Sequence, residues 1–415
     1  MATNLLALTI QSSRETIASS DDGQLLYLLV DVNPPREDSI AHLPRNLSLI
    51  VDSSTSMKGD RLSSVKNAAA AIIEGISPDD KISVISFSDR AQVVLPASPV
   101  EQKKTLISQI NSIRADGGTE IFQGLEAGFK EIRKSNLDSY TNHMILLTDG
   151  HTYGDTKQCL NLARDAAEQG VDITAFGIGN DWNDAFLDKL VVFSGSQSIY
   201  IEKPSQAMGY LQDKIKGLGV IFASTFRLVD DFPDGVELLS AFKVAPYAQL
   251  FVPDGLDIRL GAIEAETPLV LLLEFLVEVD KSEDVFHLPV NFLSDIPSKR
   301  ARDYPLELVF EIPTSGEEAP MNPPEQLIEA VRALNLYRMN ERIWRDIEGG
   351  DIPQATMRLQ RLSTRLLEAG HSDLALQAQI ETERLKAMEA WSESARKQFK
   401  FGTRSLITQT FRLKA

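Results

Sequence analysis

Cysteine is all but missing: Cys159 is the single one in 415 residues. That excludes an internal disulfide and any zinc or iron–sulfur centre built on several thiolates, and it fits a reducing compartment. Histidine is scarce as well. His42, His143, His151, His287 and His371 form no H-x-x-x-H pair, so a histidine zinc site is not expected. Serine hydrolase chemistry would need a G-x-S-x-G elbow, which is absent, and Gly177-Ile178-Gly179 lacks the third glycine of a dinucleotide-binding turn. Long apolar runs are also lacking. The longest, Leu269 to Val279, contains Glu274 and Glu278 and falls far short of the roughly 20 residues that span a bilayer. The first residues have neither the basic n-region nor the long apolar h-region of a signal peptide. A soluble, cytoplasmic protein without membrane insertion is the expectation.

Positive charge is in deficit too. Forty-two Lys plus Arg against 59 Asp plus Glu leave a net charge of −17, a field that repels nucleic acid and anionic surfaces. The deficit is uneven, with residues 321–415 at +3 and residues 1–320 at −20. A different role or a different facing surface for the C-terminal part follows. What the chain does have is an ordinary globular composition, 43% hydrophobic and 24% charged. At roughly 100–200 residues per domain, its length suits two to four domains.

Residues 44–205 alternate short apolar runs with helical patterns. The runs are Leu47–Val51, Ile82–Phe87, Met144–Leu147, Ile173–Ile178 and Ser198–Ile201, separated by amphipathic segments such as Asp60–Ile76, Ile121–Lys134 and Thr156–Gln169. That order predicts βαβ units and a doubly wound, mostly parallel α/β sheet. Residues 206–320 carry closely spaced strand patterns instead, among them Val236–Val244, Leu269–Val279 and Val285–Phe292, which predict an antiparallel β-sandwich. The candidate strands Leu5–Gln11 and Leu25–Val32, within residues 1–43, have no helix to pack on and are expected to join it. The α/β domain would then be inserted in the sandwich. Residues 321–415 turn to helical periodicity: one helix from Pro323 to a Gly349-Gly350 stop, a second capped by Asp351, and a third around Asp373–Trp391. A tail with Phe399, Phe401, Leu406, Ile407 and Phe411 is expected to dock back on the body. Arg338, Arg342 and Arg345, interleaved with Glu341 and Asp346, read as a solvated, salt-bridged face. Cys159, in a helical pattern, reads as packing rather than as a nucleophile.

The chemistry concentrates in three loops. The first strand of the α/β domain ends in Asp52-Ser53-Ser54-Thr55-Ser56, with oxygen side chains at i, i+2 and i+4. Gly117-Gly118-Thr119 precedes a helix, and Thr148-Asp149-Gly150 closes a later strand. All three belong at the carboxyl edge of the sheet, where open α/β sheets bind ligands. Asp52-x-Ser54-x-Ser56 alone reads first as a strand-to-helix turn with a cap. Joined by Thr119 and Asp149 it makes an oxygen-only site suited to a hard cation such as Mg²⁺.

This pattern resembles the metal-ion-dependent adhesion site (MIDAS) of von Willebrand factor type A domains, the integrin I-like fold. The resemblance covers residues 44–205 and implies Asp52, Ser54, Ser56, Thr119 and Asp149 as the metal-site residues, with Thr55 standing where many members have Gly. Ser86-Phe87-Ser88 and Phe176-Gly177-Ile178-Gly179 fit the supporting strands. It implies a Mg²⁺-dependent (Mn²⁺ or Ca²⁺ as alternatives), non-enzymatic protein–protein interaction or scaffold role, in which a partner's Asp or Glu completes the metal. His151 and Tyr153 would lie on the rim. A MoxR-type AAA+ ATPase is the partner that the resemblance extends to. Two other readings stand beside it: a Mg²⁺-dependent hydrolase, for which Lys58 and Arg90 are the nearby phosphate-binding candidates, and a structural, self-assembling protein with a degenerate metal site.

Overall fold

The computed structural model describes residues 6–20, 22–34, 43–218, 221–255, 257–265, 267–280, 284–316, 322–368, 370–387 and 393–412. Leu5, His42 and Trp391 lie outside them. The chain opens with β1 (Ala7–Ser12), β2 (Ile17–Ala18) and β3 (Gln24–Asn33). It then builds an α/β layer from β4 (Arg45–Asp52), α1 (Asp60–Gly75), β5 (Lys81–Phe87), β6 (Ala91–Pro99), α2 (Lys103–Asn111) and α3 (Ile121–Ile132). The layer continues through β7 (Thr141–Thr148), α4 (Thr156–Glu168), β8 (Val171–Ile178), α5 (Asp184–Val192), β9 (Ser198–Ile201) and α6 (Ala207–Gly217).

The six strands lie in the order β6-β5-β4-β7-β8-β9, parallel except for β6. The central strands are apolar at nearly every position because helices cover both faces. Leu47, Leu49, Ile145 and Leu147 pack with Ile72, Ile73, Leu211 and Ile215 on one side. Ile50, Ile85 and Leu146 pack with Leu125, Phe129 and Ala163 on the other. There α3 lies so close to the sheet that a Cβ at Gly124 would stand 2.6 Å from the Phe87 ring. Since Ala207, Leu211 and Ile215 of α6 belong to the first of these cores, the α/β layer runs on past residue 205.

The sandwich comprises β10 (Ile221–Ala223), β11 (Thr225–Leu228), β12 (Val236–Ala245), β13 (Gln249–Phe251), β14 (Ile258–Arg259), β15 (Ile263–Glu264), β16 (Leu269–Val277), β17 (Val285–Ile296) and β18 (Ala301–Ser315). One sheet runs β1-β3-β16-β12-β13 and the other β14-β11-β17-β18-β2, with β10 and β15 forming a small ribbon. All pairings are antiparallel except β2 beside β18. Leu28, Val30, Leu271, Leu273 and Phe275 of the first sheet meet Phe226, Leu288, Val290 and Phe292 of the second. The α/β layer is thus inserted between β3 and the rest of an antiparallel sandwich.

Among the described residues, four helices follow: α7 (Glu325–Glu348), α8 (Ile352–Glu368), α9 (Ser372–Lys386) and α10 (Glu393–Arg412). Leu327 and Leu334 of α7, with Ile407 and Phe411 of α10, cover Leu29, Phe242, Val270 and Leu272 on the outer face of the first sheet. This explains the run from Leu269: β16 is covered on both faces, by the second sheet and by helices. Arg342 and Arg345 are exposed as read, whereas Arg338 departs from the solvated reading and packs on the sheet. Its guanidinium donates to Glu274 Oε1 at 3.2 Å and to Ser240 Oγ at 3.0 Å, pinning α7 to the sheet. Burial alone would raise the Glu274 carboxyl, but Arg338, Ser240 and Tyr27 bond to it and hold it below the usual range. The tail is a helix rather than an extended strap, and Phe399, Ile407 and Phe411 are buried. Cys159 is buried, and that burial pushes its thiol up, away from thiolate reactivity.

Candidate metal centre

The three loops named from sequence meet at the carboxyl edge because β4 and β7 are parallel neighbours and therefore end together. Asp52 is the last residue of β4, and Thr148 closes β7 immediately before Asp149. The Asp52 carboxylate is fully buried; Oδ1 accepts from the Ser54 amide at 2.8 Å and Oδ2 from Thr148 Oγ1 at 2.6 Å. Ser54 Oγ and Ser56 Oγ are 2.9 Å apart, and Ser56 Oγ donates to Asp149 Oδ1 at 2.7 Å. Four of the five residues therefore form one hydrogen-bonded chain. Thr119, buried in the loop just before α3, stands beside it: a Cβ on Gly150 would lie 3.2 Å from Thr119 Oγ1.

The surrounding backbone fixes this arrangement. Ser53 donates its amide and its hydroxyl to the Phe87 carbonyl at 2.7 and 3.0 Å, tying the loop to β5. Thr55, exposed where many family members have Gly, donates through its amide and its hydroxyl to the Gly117 carbonyl at 3.1 and 3.0 Å. It thereby joins the first loop to the second. Gly117 has φ +78, a left-handed conformation that a side chain rarely adopts. Asp89 accepts from the Gly118 amide at 2.9 Å, and Asp155 accepts from the Phe122 amide at 2.8 Å, anchoring the first turn of α3. His151 and Tyr153 lie exposed on the rim, Tyr153 at 76% of its full surface. Lys58 and Arg90 are also exposed.

Two residues that sequence reasoning passed over complete the picture. Arg61, in the first turn of α1, donates its guanidinium to Asp149 in a short ion pair, and its other terminal nitrogen lies 3.4 Å from Asp181. Asp181 sits in the turn after β8. Trp182 Nε1 closes that turn on the Gly179 carbonyl at 2.8 Å, and Lys397 of α10 donates to the Trp182 and Asn180 carbonyls. The available signal was a cation five residues after Ser56, inside the amphipathic segment Asp60–Ile76.

Electrostatically the edge calls for positive charge. Burial pushes the Asp52 carboxyl above the usual carboxylate range, with the Asp149 charge adding to the rise and the Ser54 and Thr148 hydrogen bonds opposing it. Asp149, fully buried, is already engaged by a cationic side chain. Among the described residues no group of three or more His, Cys, Asp or Glu is placed to hold a metal. A metal here would rest on two carboxylates and on hydroxyls, a hard oxygen donor set that suits Mg²⁺ rather than a soft ion.

The doubly wound layer and its edge define a class. Residues 46–214 match the family model of the von Willebrand factor type A domain, and the α/β layer is a domain of that type. Residues 325–409 match a second model, the Sll0103-like, C-terminal alpha-helical domain. The uncharacterized protein sll0103 of Synechocystis sp. is 28% identical over 396 residues, covering 92% of each chain. Inter-alpha-trypsin inhibitor heavy chain H4 of Bos taurus is 31% identical over 189 residues, which are 42% of this chain and 20% of that protein. Two solved structures share the fold at 18% identity. The von Willebrand factor type A protein from Catenulispora acidiphila has a TM-score of 0.73 over 91% of this chain and 90% of its own. The ArnB paralog VWA2 from Sulfolobus acidocaldarius has 0.61 over 97% and 99%. Both matches extend beyond the α/β layer. No described helix is long and apolar enough to cross a membrane.

Proposed function

We propose that this protein is a metal-dependent protein-binding scaffold, holding a divalent ion, Mg²⁺ first, at the Asp52–Asp149 edge and taking a partner's Asp or Glu as a further ligand. The observation that carries the reading is the hydrogen-bonded run Asp52–Ser54–Ser56–Asp149, with Thr119 alongside, at the carboxyl edge of a von Willebrand A domain. Domains of this type with such a site act in protein–protein interaction.

Asp52, Ser54, Ser56, Thr119 and Asp149 would hold the ion, directly or through water. Bound there, the ion supplies a partly neutralised positive centre that accepts a carboxylate. This chain's own residues do the rest. Thr148 and the Ser54 amide keep the Asp52 carboxylate oriented. Thr55 holds the first two loops together through Gly117. His151 and Tyr153 stand where a docked surface would rest. One charge-assisted contact fixes the geometry, and the rim selects the partner.

The test is capture of a partner by the immobilised full chain in Mg²⁺ and in chelator, beside an Asp149→Ala chain. A MoxR-type AAA+ ATPase is the first candidate to try. Binding that needs Mg²⁺ and is lost in the variant is expected; binding indifferent to both would contradict the reading and favour a scaffold whose metal site is degenerate.

A further inference from the structure

Among the described residues, Arg61 is the cation that pairs with the edge. Its guanidinium donates to Asp149 Oδ2 while Ser56 holds Oδ1, and the same nitrogen lies 3.5 Å from the Ser56 carbonyl. Its other terminal nitrogen lies 3.4 Å from Asp181 Oδ2. The two carboxylates differ sharply: the Asp149 side chain is fully buried, whereas that of Asp181 is 73% exposed. A buried carboxylate without a countercharge is costly, while an exposed one is not. The guanidinium therefore favours Asp149 so long as nothing else neutralises it.

The guanidinium rests against the turn after β8, which carries its second acceptor. Gly179, at φ +72, lies against the guanidinium, and a Cβ there would stand 3.2 Å from Nη2. The turn that carries Asp181 is pinned by Trp182 Nε1 on the Gly179 carbonyl at 2.8 Å, by Tyr200 Oη on Asn180 Oδ1 at 2.7 Å and by Lys397. An exposed carboxylate on a pinned turn thus lies on the solvent side of Arg61, already 3.4 Å from its second terminal nitrogen.

A divalent ion at Asp149 would remove the reason for the guanidinium to stay and would repel it. Resting on the metal-binding reading above, we propose that Arg61 is a built-in competitor for the metal position, a tethered cation that neutralises Asp149 until a divalent ion displaces it onto Asp181. Arg61 then sets how tightly the site holds metal, as a positioning residue and not a ligand. Displaced, it stays at the rim as a second positive group for an incoming carboxylate.

The experiment is a two-residue cycle read by calorimetric Mg²⁺ and Mn²⁺ titration, with the metal-induced rise in Tm as a second readout. Arg61→Met is expected to bind about ten-fold tighter than the parent, since metal no longer breaks an ion pair. Its metal-free Tm should fall, and its metal-induced rise should grow. Asp181→Asn, at an exposed position that should leave folding intact, is expected to weaken binding several-fold in the parent and to have no effect beside Arg61→Met. Binding by Arg61→Met alone would also support the proposal. Unchanged or weaker binding in Arg61→Met, with the parent binding normally, would overturn it while leaving the metal reading intact. So would an Asp181→Asn effect that persists without Arg61. No binding in any of the four chains would overturn both.

Discussion

At the scale of single residues, the site is a short chain of oxygen atoms whose members have unequal duties. Asp52 is buried and held by two hydrogen bonds, so it belongs as much to the end of β4 as to any ligand. Ser56 is exposed and links Ser54 to Asp149. Ser56→Ala should therefore raise the Mg²⁺ dissociation constant roughly ten-fold, with metal-free Tm almost unchanged; titration beside a melting curve checks this, and equal affinity would contradict it. Asp52, Ser54, Ser56 and Asp149 were legible because they sit at or just past strand ends, and Thr119 because a Gly-Gly pair precedes it ahead of a helix. Arg61 and Asp181 have no such signature. Their meeting depends on how α1 and the turn after β8 lie in space, which spacing along the chain does not record.

At the scale of elements, strands buried on both faces were legible, as were alternating ones such as β17, whereas the edge strand of the α/β sheet was not. Leu47–Val51 and Ile173–Ile178 are continuous apolar runs because helices cover both sides. The antiparallel edge strand β6 carries Pro96 and Pro99 and exposes Gln92 and Val93, so its pattern stays ambiguous. The last helix, α10, was legible only as a tail because its buried side includes Lys397 and Lys400, which a periodicity reading places in solvent. Lys400 bridges Asp184 at 2.6 Å and Asp188 at 2.8 Å, while Arg404 grips Asp188 at 2.7 Å and Arg396 reaches Asp184 at 3.0 Å. Burial would raise both carboxyls, but the charges of Lys400 and Arg396 on Asp184, and of Arg404 and Lys400 on Asp188, outweigh it and hold them below the usual range. A depressed folded value contributes stability above the ordinary carboxylate pKa of about 4, lost as pH falls below it. Hydrogen exchange should accordingly show α10 protected at neutral pH and opening in acid. Lys400→Met should cost about 3 kcal/mol by denaturant unfolding; protection and stability unaffected by either change would contradict this docking.

At the scale of the molecule, the uneven charge finds an internal explanation. The basic side chains that set residues 321–415 apart include Arg338, Arg396, Lys397, Lys400 and Arg404, and each bonds to the sandwich or to the α/β layer. The contrast that suggested a separate partner surface is in good part the seam between the helical unit and the body. That seam also reaches the candidate site, since Lys397 holds the turn that carries Asp181. The central claim, a divalent ion on the Asp52–Asp149 edge, is tested most directly by calorimetric titration of the chelator-stripped full chain with Mg²⁺, at concentrations that detect millimolar affinity, beside Asp149→Ala. The account predicts saturable binding at one site in the parent and none in the variant. No binding in the parent, or equal binding in both, would contradict it.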